Sequence, residues 1–287
     1  MNTEKYRVIH DKPINLGKFS TRAPKDFEKD ITKKELTPEN LEVLKVLQEK
    51  LYAENQRGIV IVLQAMDAAG KDGIIKHVLT ALNPQGTPVR AFKQPSNEEL
   101  DHDYLWRINK ALPARGEIGI FNRSHYEDVI VTRVHNLLEN SNLPEELIED
   151  DVWKKRYRQI NDFEKYLYEN GFEVLKFFLH VSKEEQRLRL LDRVERPDKH
   201  WKFSYSDIEE RKYFEKYMKT YESVLKNTST EYAPWYILPA DQKWFSRFLI
   251  SEILRQKLEK MNPEFPKLSK EEESQLGEAR KILKAEE

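Results

Sequence analysis

Residues 59–63 are wholly apolar, and the run passes directly into a small-residue loop that ends in Gly70 and Lys71. A short apolar run without alternation suits a strand of a parallel sheet covered on both faces. Beyond the lysine, Ile75, Val78, Leu79 and Leu82 recur at helical spacing. Strand, loop and helix in that order commit the segment to a sheet with helical crossovers. The rest of the chain repeats the theme. "TPVRAF", "EIGIF", "FEVLKFFLHV" and "WYILPA" are further apolar runs. Between them lie the helical patterns "NEELDHDYLWRINKALP", "NRSHYEDVIVTRVHNLL", residues 151–169 and, after the last run, "DQKWFSRFLISEILRQKLEKM". The predicted fold class is α/β, a three-layer α/β/α arrangement around a central parallel sheet.

Residues 1–36 read as an irregular arm lying on the main body, and residues 37–262 as the principal domain. Its first helix is expected over "TPENLEVLKVLQEKLYAEN", with Thr37 as cap, Pro38 in the first turn, and Leu41, Leu44, Leu47 and Leu51 inward. Residues 182–230 break the alternation. They are charged, helical in pattern and interrupted near "ERPDKHWKFS". Two helices joined by a loop at this point read as an inserted helical lid or as a solvated helical hairpin. Residues 263–287 form a charged tail.

Composition narrows the chemistry. Among 287 residues there is no cysteine, which excludes disulfides, thiolate metal sites and cysteine nucleophiles. The 49 basic residues nearly cancel 50 acidic ones, so any polyanion must be met by a local basic patch rather than by net charge. The first residues lack an apolar signal core, and no run reaches transmembrane length. The expected setting is cytoplasmic, with neither membrane nor nucleic acid as partner.

Three segments carry chemistry. In "AMDAAGKDG" the backbone N–H groups of Ala68, Ala69 and Gly70 can converge on a phosphate, with Lys71 adding a full charge. The usual phosphate-loop pattern has glycine where Ala65 stands and Ser/Thr where Asp72 stands. Asp72 can hold a metal but also repels phosphates. Asp67 reads either as a cation-binding carboxylate facing the transfer point or as a turn residue bonding its own backbone. In "IGIFNRSHYEDV" a strand ends in Asn122 and Arg123, with Glu127 and Asp128 following on a helix. Strand C-termini of a parallel sheet open onto the ligand crevice. Arg123 is placed to meet a phosphoryl group. Glu127 and Asp128 read as groups that orient magnesium or an acceptor phosphate, or as helix-capping acids. In the lid, Arg189, Arg193 and Arg196 share one helix face, and Lys199 and Lys202 follow. Between residues 187 and 202 six basic residues, with Arg187 the sixth, stand against Asp192, Glu195 and Asp198. That charge can grip a chain of phosphates or form a salt-bridged surface.

With these segments in place, the chain resembles the polyphosphate kinase 2 family. "AMDAAGKDG", "FKQPSNEELDHDYLWR", "GEIGIFNRSHYEDVIVTRVH" and "KHWKFS" match its segments in order over roughly residues 30–262. "NRSHYED" is similar to the class that phosphorylates both nucleoside mono- and diphosphates. Asn122 and Glu127 depart from the segment of diphosphate-specific members. The resemblance implies a P-loop kinase fold and transfer of the terminal phosphoryl group of inorganic polyphosphate to AMP and ADP, giving ADP and ATP. It implies Asp67, Lys71, Arg123 and Glu127 as catalytic residues, and magnesium or manganese on Asp67 and Glu127. Polyphosphate is expected on Ala68, Ala69, Gly70, Lys71, Asp72, Arg123, Arg189, Arg193, Lys199 and Lys202. The nucleotide is expected on Asp67, Asn122, Glu127, Asp128 and Arg133. A homo-oligomer, dimer or tetramer, is also implied. Two other classes stand beside this one. An ATP-dependent nucleoside monophosphate kinase would carry Ser/Thr at position 72 and an intact glycine loop. A non-catalytic nucleotide-binding regulator would have lost Lys71 or its neighbouring acids.

Overall fold

The computed structural model describes residues 1–286. Five strands form one sheet, and every pair in it is parallel: β1 (Gly58–Gln64), β2 (Val89–Ala91), β3 (Ile118–Asn122), β4 (Phe172–His180) and β5 (Trp235–Pro239). Their order is β2-β3-β1-β4-β5, so the crossovers reverse direction about β1. All seven residues of β1 are buried, as a central strand covered on both faces requires.

Helices cover both faces of the sheet. On one side α2 (Thr37–Glu54) packs against α11 (Lys243–Met261), next to α3 (Lys71–His77). On the other, α6 (Glu127–Val134), α7 (Val152–Glu169) and α10 (Phe214–Thr228) pack together. Leu44 and Leu51 of α2 are buried, and Leu41 and Leu47 lie against the same core.

The N-terminal segment contributes to that core. Tyr6, Val8 and Leu16 are buried, and the Val8 N–H donates to the Trp235 carbonyl at 2.8 Å, covering the free edge of β5. Thr37 does not cap a helix. Helical backbone already runs through α1 (Lys29–Ile31) and the wider turn Thr32–Leu36, and the Thr37 hydroxyl donates back to the Thr32 carbonyl at 2.8 Å. Pro38 is tolerated because the widened turn re-routes the hydrogen bonds around it.

The expected single helix over "NEELDHDYLWRINKALP" is two short ones, α4 (Asn97–Leu100) and α5 (Trp106–Lys110). Asp103 breaks it. Its side chain accepts from the Leu105 N–H at 2.9 Å, offering the backbone an alternative to helix. The 182–230 segment holds α8 (Lys183–Glu195), α9 (Tyr205–Glu210) and then α10. The last is no part of a free flap, because Phe214, Tyr217, Tyr221, Val224 and Leu225 are buried. The outlying portion is therefore α8 to α9. In the tail, α12 (Lys270–Lys284) buries no residue.

Candidate active site

The loop leaving β1 turns through left-handed backbone at Ala68 (φ 61°) and Gly70 (φ 121°). Glycine accepts this freely, whereas Ala68 stores about 1 kcal/mol of strain. A second strained residue faces the first, for Arg123 just beyond β3 has φ 66°. Such strain persists only where surrounding structure holds it, and it concentrates at functional sites.

Arg123 is the centre of the constellation. Its guanidinium lies 2.7 Å from Asp67 and 3.6 Å from Glu127, so the two carboxylates flank one cation. Burial opposes its charge, but Glu127 and Asp67 hold the guanidinium protonated more firmly than usual. Lys71 folds back over its own loop, and its ammonium donates to the Ala65 carbonyl at 3.0 Å. It is buried, not a surface lysine. Burial lowers its pKa against the pull of Asp67 and Glu127. A buried ammonium and a guanidinium therefore stand beside the phosphate loop with two acids between them.

Glu127 itself is pushed up by burial and by Asp67, while Arg123 and Lys71 pull it down. Asp67 and Glu127 are the two carboxylates beside Arg123 that could hold a divalent cation. Among the described residues no group of three or more His, Asp or Glu side chains is placed for one. Two carboxylates with the rest of the shell from phosphate oxygens and water is the magnesium habit. Asp72 accepts a hydrogen bond from the Asn122 amide at 3.0 Å, which ties the start of α3 to the end of β3.

Asp128 turns the other way. It sits 4.0 Å from Arg107 and 3.9 Å from Arg156, and burial pushes its carboxyl up to about 6. Arg133 is six residues past Glu127, about 9 Å along the helix axis. Its guanidinium donates to the Tyr157 hydroxyl at 2.9 Å and the Ser223 hydroxyl at 3.2 Å. The structure does not bring it to the phosphate loop.

The arginines of α8 diverge as well. Arg193 reaches Asp207 of α9 at 2.7 Å, Arg196 pairs with Asp198 at 2.8 Å, and Lys199 pairs with Asp192. Lys202 lies over the Trp201 ring. Arg189 points inward and is buried. It donates to the carbonyls of Ala68, Ala69, Ala240 and Asp241, and to Glu185. All five of its N–H groups are engaged by these acceptors, so in this arrangement it braces the loop after β1. Arg189→Ala leaves four carbonyls without their donor and should cost roughly 2 kcal/mol. Arg189→Lys should not rescue it, since one ammonium cannot fork to both pairs. Urea melts test this; a loss below about 0.5 kcal/mol would mark the side chain as a ligand contact instead.

Four neighbours were not singled out by sequence. The Gln186 amide donates to the Asp67 carbonyl at 3.1 Å, Arg211 donates to Gln186 at 2.9 Å, and Asp207 holds Arg193. Tyr221 lies buried beside Arg123 and Glu127. Nothing local marks these residues, because their roles arise from tertiary contacts, the longest of them the 119 positions between Asp67 and Gln186.

Known proteins resemble this chain over nearly its whole length. The family model described as polyphosphate kinase 2 matches residues 26–266. An ADP-polyphosphate phosphotransferase of Rhodopseudomonas palustris is 43% identical over 285 residues, covering 99% of each chain. An AMP/ADP-polyphosphate phosphotransferase of Meiothermus ruber is 45% identical over 267 residues, covering 92% of this chain and 95% of its own. The crystal structure of a polyphosphate kinase 2 from Arthrobacter aurescens superposes with a TM-score of 0.86 at 38% identity, covering 96% of both chains.

Proposed function

The chain belongs to the polyphosphate kinase 2 family, and from that premise we propose that it transfers the terminal phosphoryl group of inorganic polyphosphate to AMP and then to ADP. The observation that carries the reading is the set of Lys71, Arg123, Asp67 and Glu127 gathered at the ends of β1 and β3. It combines two cations for transferring charge with two acids for a metal. The names of the relatives that accept ADP, or both AMP and ADP, support the choice of acceptors.

In the reaction an acceptor phosphate oxygen forms a new P–O bond to the terminal phosphorus of the chain. The anhydride P–O bond behind that phosphorus breaks, and its electron pair leaves on the shortened chain. Phosphoryl transfer of this kind needs positioning and charge neutralisation more than covalent help. Lys71 and Arg123 stabilise the charge that shifts between the oxygens. No strong base is required, because the acceptor phosphate is already ionised. Asp67 and Glu127 would hold magnesium or manganese, which when bound neutralises phosphate charge and orients the oxygens. Arg193, Lys199 and Lys202 exchange their lid partners for the chain and exclude water. The proposal also carries a cytoplasmic setting and a homo-oligomeric assembly; no helix among the described residues is long and apolar enough to cross a membrane.

The test supplies AMP with polyphosphate as the sole donor and follows ADP and ATP by chromatography. Both should form, stop on adding a chelator, and resume with excess magnesium. Product from ATP plus AMP but none from polyphosphate would assign an ordinary monophosphate kinase instead.

A further inference from the structure

β1 is apolar from Ile59 to Leu63 and then ends in an amide, Gln64. Gln64 is completely buried, and so is Ser124 just beyond β3. The Gln64 amide donates to the Ser124 hydroxyl at 3.2 Å, yet among the described residues no donor reaches its carbonyl oxygen. An unpaired buried acceptor destabilises a fold, whereas an apolar side chain of the same shape does not. The central strand therefore ends in a group that weakens it. An unpaired polar atom kept in a core calls for a reason outside stability.

The place of this amide supplies one. The pairing of β1 with β3 stops at Leu63 and Asn122. One residue on, the strained Arg123 still donates its N–H to the Leu63 carbonyl at 3.0 Å. Beyond that point a side chain takes over. Gln64 holds the Ser124 hydroxyl, which also accepts from the Tyr126 N–H at 3.2 Å, and the Ser124 carbonyl accepts from the Glu127 N–H at 3.1 Å. The turn from Arg123 to Glu127 is thus fastened to the end of β1 by one amide. The next residue of β1's exit, Ala65, gives its carbonyl to Lys71 at 3.0 Å. The two strand ends that carry the candidate site meet at Gln64.

The same amide faces Glu127. Burial raises that carboxyl, Arg123 and Lys71 pull it back down, and the Gln64 amide lowers it further. An amide has this effect by presenting an N–H to the ionised form. Arg123 lies 3.6 Å from the same carboxylate. A guanidinium on a strained turn and an amide on a buried strand together restrict where the carboxylate can lie. Groups that orient a reacting phosphate must be held in this way, since small misplacements cost large factors in rate.

We propose that Gln64 is a positioning residue for phosphoryl transfer, holding the Arg123–Glu127 turn through Ser124 and the Glu127 carboxylate through its second N–H. The proposal rests on the reading that Glu127 serves the reaction, and it assigns Gln64 no contact with either substrate. It accounts for the polar end of an otherwise apolar strand, because an apolar residue there would stabilise the fold and release the turn.

Gln64→Met keeps the length and volume and removes the amide. Its urea midpoint should equal or exceed that of the wild type, since no orphan oxygen is left. Its kcat should nevertheless fall about tenfold or more, with KM for AMP and for polyphosphate within about twofold. The decisive measurement is a double-mutant cycle with Glu127→Ala, read from the residual rate at high enzyme concentration. In that background Gln64→Met should lower kcat by less than about twofold, because the group through which it acts is already gone. Should Gln64→Met not fold, Gln64→Leu replaces it, with the same expectations. Turnover within about twofold of wild type in Gln64→Met, or equal losses in the two backgrounds, would overturn the assignment and leave Glu127 its part. An earlier melt with both KM values raised would overturn it too, as the mark of a packing role. Wild-type turnover in Glu127→Ala would overturn the reading of Glu127 itself, and the assignment with it.

Discussion

Replacing Lys71 with alanine should lower kcat for phosphoryl transfer about a thousandfold, roughly 4 kcal/mol, with the fold intact. The ammonium sits against the phosphate loop, buried and bonded to the Ala65 carbonyl. In a water-poor site a fixed positive charge acts strongly on negative charge that moves during the reaction. Its burial separates the effect on rate from the effect on stability. Desolvation lowers the Lys71 pKa, so holding this charge costs the fold stability rather than adding to it. Lys71→Met keeps most of the volume and should melt no earlier than the wild type while losing the same activity. Turnover within about tenfold of wild type in either folded variant would exclude Lys71 from the transfer step.

The largest loss of stability is expected at Glu164. This carboxylate and the Lys176 ammonium are completely buried and paired between α7 and the centre of β4. Lys176 also donates to the Tyr126 hydroxyl at 3.0 Å and to the Thr228 carbonyl, which satisfies all three of its protons. Tyr126 in turn donates to Glu164 at 2.8 Å, and His125 lies 3.5 Å from the same carboxylate. Burial pushes Glu164 up, but Lys176 and His125 together pull it below the usual range. Glu164→Ala strands a buried cation and should cost about 3–5 kcal/mol. Replacing both partners, as Lys176→Met with Glu164→Leu, should recover most of it, because two matched apolar groups carry no desolvation penalty. Denaturant melts decide; a loss below about 1 kcal/mol in Glu164→Ala would mean that water reaches the pair. The network ends at Tyr126, the residue before Glu127, so the same variant should also weaken phosphoryl transfer.

Much of this molecule was legible in its sequence. Apolar runs without alternation announced buried parallel strands, since both faces of a central strand must be covered. The small-residue loop ending in Gly70-Lys71 announced a tight turn from strand to helix, since glycine accepts left-handed backbone at little cost. The segments around Asp67 and Arg123 carried the family. Element ends were less legible. Thr37 reads as a cap but lies inside helical backbone, because the preceding turn widens around Pro38. Local propensity does not include that option.

The direction in which each charge points was beyond the sequence. Glu127 and Asp128 are neighbours of the same type, and only the packing of α6 against α5 and α7 turns one to the loop and the other to Arg107 and Arg156. Arg189 and Arg193 share a helix face on paper. Their carbonyl and carboxylate partners lie at Ala68, Ala240 and Asp207, and those distances along the chain vanish only on folding. Strand pattern and loop chemistry are local properties, set by backbone geometry within a few residues, so the sequence by itself determined the α/β sheet, the strand–loop–helix turn at Gly70-Lys71 and the family. Which charged groups are spent on the protein and which remain for a ligand depends on what lies within about 4 Å in space, and that was decided by the tertiary structure alone.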